Sequence, residues 1–149
     1  MKGVSESAAT AARDLRVVFS RLRRRLREVA TGGDLTPSQT AVLTRLWKEG
    51  PSSASALAAA EQMRPQSMAT IVAALDRHRL IRRAPDPNDG RRQVVSLTAT
   101  GRRRAESDRK ARAEWLARAM QDNYSERERR TILDALSLLE RLIDNNGKD

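Results

Sequence analysis

The run DPNDGRRQVVSLT at residues 86–98 limits the possible folds more than any other stretch of this chain. Asp89-Gly90 is a pair suited to the positive φ of a tight hairpin turn. Leu80-Ile81 before it and Val94-Val95-Ser96-Leu97 after it read as two short strands. The tip between them carries Arg91 and Arg92 and is too charged for a core, so the hairpin must reach outward. Two short helical segments precede it, Ser53 to Ala60 and Pro65 to His78, joined by Glu61-Gln62-Met63-Arg64. Helix, turn, helix, hairpin is the outline of a winged helix-turn-helix.

The remaining segments read as helices. From about Ser7 to Val29, Leu15, Phe19, Leu22, Leu26 and Val29 recur at spacings of four and three, a narrow apolar seam. It is flanked by Arg13, Arg16, Arg21, Arg23, Arg24, Arg25 and Arg27, which read as a solvated face. Thr31-Gly32-Gly33-Asp34 ends this segment. Thr36, Pro37 and Gln39 then form an N-cap, a first-turn proline and a capping box for a helix to about Glu49 that buries Val42, Leu43, Leu46 and Trp47. Gly50-Pro51 breaks that helix, and Ser53 can cap the next. The helix opened by Pro65 has Met68, Ile71, Val72 and Leu75 inward and Gln66, Ser67, Thr70 and Arg77 outward. A long helix from near Thr98 to about Gln121 has thin apolar content. The last starts at Ser125, with Glu128 completing a second capping box, and carries Ile132, Leu136, Leu139 and Ile143 to its end. The fold class is therefore mainly α, about six helices with a small β-hairpin wing, in a single domain over 1–149. The tail from Asn145 to Asp149 is expected to be disordered.

Composition narrows the partner. Lys and Arg number 29 against 19 Asp and Glu, a formal net charge of +10, and Arg far outnumbers Lys. Such a surface attracts polyanions, and Arg favours planar, bidentate contacts with phosphate or guanine. With no cysteine there is no disulfide, thiolate metal site or thiol redox switch. No run is apolar enough to span a membrane and the N-terminus has no signal-like apolar region, so a cytoplasmic protein without a membrane partner is expected. Catalysis has little to stand on. His78, the one histidine, lies between Arg77 and Arg79. Phosphate-cradling motifs and paired metal ligands are missing, so neither cofactor nor metal is expected. Asp86, Asn88 and Asp89 hint at a calcium loop, but Gly90 falls one place early and Leu97 stands where a bidentate Glu is required.

The ordered set Leu35-Thr36-Pro37-Ser38-Gln39, Leu57-Ala58, Pro65-Gln66-Ser67-Met68 through Leu75, Leu80-Ile81-Arg82-Arg83, the wing from Asp86 to Arg91, and Leu97-Thr98 with Gly101 resembles the MarR (multiple-antibiotic-resistance regulator) family over nearly the full length. The resemblance implies a homodimer in which N- and C-terminal helices of two chains interleave, here residues 5–30 and 99–145. Their seams, Leu15, Phe19, Leu22, Leu26 and Ile132, Leu136, Leu139, Ile143, would form the interface. Residues 36–98 would be the DNA-binding lobe. It further implies a transcriptional regulator of pseudo-palindromic operators, more often a repressor, released in many members by a small aromatic or anionic effector held between the dimerisation helices and that lobe. Departures accompany it. Asn88 replaces the first arginine of the usual wing, Arg64 stands where a capping residue is common, and the cysteine of peroxide sensors and the first-helix Trp of urate-type members are absent.

On this reading Gln66, Ser67 and Thr70 reach base edges in the major groove, with Arg77 on the same outward face. Ser38, Ser53, Ser55 and Arg64 hold phosphates. Arg91, helped by Arg92 and oriented by an ion pair with Asp89, enters the minor groove. Trp47 and Trp115 are either effector-pocket aromatics or ordinary core or interface aromatics. The rival readings are a basic RNA-binding protein, disfavoured by only four aromatic residues for base stacking, a winged-helix module for protein assembly, and an enzyme using buried carboxylates.

Overall fold

The computed structural model describes residues 3–29 and 33–145. The expected break at 31–34 and the expected disordered tail at 145–149 each lie partly outside them; Asn145, the one described residue of that tail, is the last residue of a helix rather than disordered. Six helices and three short strands follow in the order α1 (Glu6–Val29), α2 (Pro37–Glu49), β1 (Ser52–Ser53), α3 (Ala54–Ala60), α4 (Pro65–Arg77), β2 (Ile81–Pro85), β3 (Gln93–Leu97), α5 (Ala99–Asn123) and α6 (Glu126–Asn145). The chain divides into two compact units between Arg112 and Ala113.

Helix starts follow local chemistry. The Thr36 hydroxyl accepts the Gln39 N–H (3.2 Å) while the Gln39 side chain accepts the Thr36 N–H (3.0 Å). Ser53 caps α3 through the Ala56 N–H (3.2 Å). Ser125 and Glu128 exchange the same reciprocal pair at α6, at 2.8 and 3.2 Å. Each cap satisfies N–H groups that have no carbonyl one turn back. Helix α1 begins slightly earlier than its apolar pattern, because the Ser5 hydroxyl takes the Ala8 N–H at 3.2 Å.

In the first unit, Val42, Leu43 and Leu46 of α2, Leu57 and Ala58 of α3, and Met68, Ile71, Val72 and Leu75 of α4 bury together with Leu80, Ile81, Val95 and Ala105. Trp47 packs at the edge of this core, with the Arg109 guanidinium 5.3 Å from its ring centroid.

The sheet corrects the sequence reading in two ways. Its order is β1-β3-β2, so Ser53, expected only as a helix cap, joins Ser52 in a third strand against Val94 and Val95. The strands of the hairpin are also not joined directly by a two-residue Asp89-Gly90 turn. Strands β2 and β3 pair from Ile81 with Leu97 out to Pro85 with Gln93, leaving a seven-residue loop from Asp86 to Arg92. The Asp86 N–H donates to the Arg92 carbonyl (2.8 Å) and the Arg92 N–H to the Asp89 carbonyl (3.0 Å). Two aspartate turns stiffen this loop, Asp86 accepting the Asn88 N–H (2.9 Å) and Asp89 the Arg91 N–H (3.1 Å). Gly90 does not adopt positive φ. Among the described residues the left-handed non-glycine ones are Gln62 (φ 54°), after α3, and Arg79 (φ 59°), after α4. Both follow helix ends, where such a residue closes the last carbonyls.

An ionic chain ties α5 to the segment before α2. Arg104 donates to both carboxylate oxygens of Asp34 (2.8 and 2.9 Å) and to Asp108 (3.1 Å). The Arg104 hydrogen bonds hold Asp34 at a pKa of about 2, below its usual 3.8, whereas burial pushes Asp108 up. The two carboxyls have opposite linkage. Asp34 contributes stability that is present above pH 3.8 and is lost as pH falls toward about 2. Asp108 favours the fold most below its unfolded pKa, and loses that contribution as pH rises through its folded value. Urea unfolding of the wild type and Asp34→Asn from pH 6 down to pH 2 is therefore expected to show stability curves that differ at pH 6 and converge at the acid end. Parallel curves throughout would mean that the half-exposed Asp34 pair contributes nothing.

Candidate nucleic-acid interface

Helix α4 is two-faced. Met68, Ile71, Val72, Ala74 and Leu75 are buried, while Gln66, Ser67, Thr70 and Arg77 are exposed, as their spacing predicts. The Thr70 hydroxyl donates back to the Gln66 carbonyl at 3.1 Å, so its hydrogen is committed to the helix. Arg64 is the N-cap residue and makes no side-chain cap. Helix geometry leaves the Gln66 and Ser67 N–H groups without an intrahelical carbonyl, next to an exposed cation, an arrangement suited to phosphate.

The structure places the other expected contacts unevenly. Ser38, in the first turn of α2, is half-buried, whereas Ser55 is exposed. Ser53, Ser55 and Arg92, far apart in sequence, form one cluster. The Ser53 hydroxyl accepts from Arg92 Nη2 (3.1 Å) as well as from Ala56, and lies 3.1 Å from the Ser55 hydroxyl. Arg92 is thus drawn to the start of α3 rather than extended beside Arg91. Arg91 and Asp89 are both exposed at the wing tip. The expected ion pair between them is not formed: Asp89 takes the Arg91 backbone N–H, and among the described residues no ion pair joins it to the guanidinium. The aspartate shapes the loop and leaves the Arg91 fork open.

Sequence reasoning missed two further arginines. Arg83 grips Asp76 of α4 through Nη2 (2.7 Å) and Nε (3.2 Å), fastening the wing strand to the helix beside it. Arg82, its neighbour, is exposed on β2. Their adjacency in sequence gave no sign that one would be an internal tie and the other a free cation; only the tertiary position of Asp76 separates them.

The MarR family model matches residues 35–93, which run from the residue before the α2 cap to the first residue of β3. An HTH-type transcriptional regulator of Mycobacterium bovis is 37% identical over 142 residues, covering 95% of this chain and 98% of that protein. The chain belongs to the MarR family. A Mycobacterium leprae HTH-type regulator is 35% identical over a similar span, 95% of this chain and 98% of its own length. Among solved structures, a Pseudomonas aeruginosa transcriptional regulator superposes with a TM-score of 0.78 at 35% identity, covering 95% of this chain and 98% of its own. Wild-type MarR from E. coli, at 22% identity, shares the fold with a TM-score of 0.74 over 86% of this chain and 94% of its own. The six helices and three-stranded antiparallel sheet are those of a winged-helix MarR protein, and the chain is a DNA-binding transcriptional regulator. The relatives named above are transcriptional regulators. No helix among the described residues is long and apolar enough to cross a membrane, and none of their His, Asp and Glu side chains cluster as a metal site.

This MarR-family chain also has a cleft of about 290 Å³ between α1, α2, α5 and the start of the turn after α3. Arg23, Arg27, Arg45, Lys48 and Arg112 line it with the carboxylates Glu49 and Glu61 and with Thr40, whose hydroxyl is buried and has no hydrogen-bond partner. Neither Trp47 nor Trp115 lines it.

Proposed function

We propose that the chain is a homodimeric repressor that occupies pseudo-palindromic operators, with the lobe 36–98 on DNA, residues 5–30 and 99–145 forming the dimerisation helices, and the whole chain acting as one domain. The observation carrying this reading is the exposed, short-chained polar face of α4, set on a helix whose opposite face is locked into the core. Gln66 and Ser67 would read base edges. Thr70, with its hydrogen donated to the helix, would offer its methyl to thymine. Arg64 and Ser55 would hold phosphates, and Arg91 would enter the minor groove from a loop pre-shaped by Asp86 and Asp89. Ser53 and Arg92 act as one unit, bracing the wing against α3, and Arg82 joins the phosphate contacts.

Gln66→Ala is expected to weaken operator binding by about 1–3 kcal/mol and to change binding to random duplex far less. Fluorescence anisotropy on both probes at matched salt measures the difference. Equal losses on the two would show that this face does not read sequence. Effector release is part of the same reading. The excess of cations over carboxylates in the cleft lining, five against Glu49 and Glu61, and the unpartnered Thr40 hydroxyl favour a small anion, although Arg45 is already bonded to both carboxylates, while an aromatic requirement has no support from Trp47 or Trp115.

A further inference from the structure

Glu61 occupies a place that local rules would not choose for a carboxylate. It is the C-cap of α3, at the negative end of the helix dipole, and its side chain is only 8% exposed. What holds it there comes from two other helices. Arg45 of α2 donates from Nε at 2.8 Å, and Arg27 of α1 has Nη2 at 3.9 Å from the other carboxylate oxygen. Arg45 keeps a second, exposed partner in Glu49 (2.8 Å). The backbone turns sharply directly after Glu61: Gln62 is left-handed, its N–H reaching the Ala59 carbonyl (3.2 Å), and the Met63 N–H closes on the Ala58 carbonyl (2.8 Å). Arg64, the N-cap of α4, comes next. Glu61 is the one acidic residue in this four-residue connection.

We infer that Glu61 is a positioning residue for DNA recognition: clamped by Arg45 and Arg27, it fixes the helix-turn-helix connection against α1 and α2 and so sets how the first turn of α4 is presented. The apolar face of α4 secures its middle and end in the core, but Arg64, Pro65, Gln66 and Ser67 are all exposed, and their placement depends on the connection before them. Arg27 and Arg45 also line the cleft, so its occupancy and the set of the turn draw on the same two guanidinium groups.

The inference rests on α4 being the base-reading helix, and the test separates the two. In the full-length protein, Glu61→Gln keeps the size of the side chain and removes its charge, and Arg45 retains Glu49. Amide hydrogen exchange at Gln62, Met63 and Met68, whose N–H groups bond the Ala59, Ala58 and Arg64 carbonyls, is expected to quicken by about tenfold while Leu43 and Val95 keep their protection. For a duplex selected from a random pool with the wild type, affinity is expected to fall about tenfold with random-duplex affinity held within about twofold. Arg45→Gln should reproduce both effects, and the double variant should add little to either single one. Should Glu61→Gln prove too unstable to purify, Glu61→Leu, which fills the same site without charge, carries the same expectations. Unchanged exchange in the turn, or equal loss of protection across turn and core, overturns the inference. If the wild type selects no preferred duplex, the base-reading assignment fails, and the exchange measurement still decides whether Glu61 fixes the connection.

Discussion

Gly101→Ala is expected to destabilise the first unit by about 3 kcal/mol or more, although helix propensity alone predicts a gain of about 1 kcal/mol from the same change in a helix interior. The opposition in sign makes the substitution informative. A Cβ on Gly101 would sit 1.8 Å from the Leu80 carbonyl oxygen, 2.8 Å from its carbon and 3.2 Å from its Cα, so it meets backbone rather than a side chain that can swing away. That backbone is itself held. The Leu80 carbonyl accepts the Thr98 N–H (3.1 Å), the Thr98 hydroxyl donates to the Arg79 carbonyl (2.7 Å) and accepts the Gly101 N–H (3.0 Å), and Leu80 is a core residue. Relief requires moving the start of α5 away from the end of α4, which opens the core at Leu80 and Ala105. Gly90→Ala is the matching control. A Cβ there meets nothing within 4 Å and the backbone is not left-handed, so a change within about 0.5 kcal/mol is expected. Thermal and urea unfolding of the two variants measures both, and a neutral or stabilising Gly101→Ala would show that the close approach is not kept in solution.

Leu136→Glu is expected to weaken self-association by more than about 100-fold, equivalent to about 3 kcal/mol. Helix α6 has no fully buried residue in one chain: Leu133, Leu136, Leu138 and Leu142 are 52–61% exposed and Ile143 is 75% exposed. Helix α1 likewise exposes Leu15, Phe19 and Leu22, joined by Val17 and Val18. Large apolar side chains are rarely left uncovered in such number along a helix, and two helices of this kind on one chain are most simply covered by their counterparts on another. A carboxylate at Leu136 would be desolvated without a partner in that interface. Sedimentation equilibrium across the micromolar range, paired with circular dichroism, reads the outcome. A wild type that sediments as a stable folded monomer, or a Leu136→Glu protein of unchanged mass and stability, would remove the dimer from the proposed function.

The apolar surface of α6 is broader than its heptad pattern. Ile132 and Leu139, two of the four seam positions, are already half-buried in a single chain, and Leu133, Leu138 and Leu142 lie outside the seam yet exposed. Periodicity locates a helix and its apolar side. It does not apportion that side between intramolecular and intermolecular neighbours.

Sequence alone determined the features that depend on neighbours a few residues away. The capping boxes at Thr36 and Ser125, the Ser53 cap, the proline starts of α2 and α4 and the alternation of buried and exposed residues along α4 are set by hydrogen bonds and helical spacing within one or two turns, so they were legible, and with them the winged-helix order. Tertiary structure decided the rest. It moved positive φ from Gly90 to Gln62 and Arg79, lengthened the wing loop, added β1, turned Asp89 from a grip on the Arg91 side chain into a support for its backbone, drew Arg92 to Ser53, and placed the Glu61 carboxylate between Arg27 and Arg45. In a chain this rich in arginine, nearly every carboxylate has several candidate partners. Which pair forms depends on the distance between elements far apart in sequence, and on how much water their packing removes from between the charges.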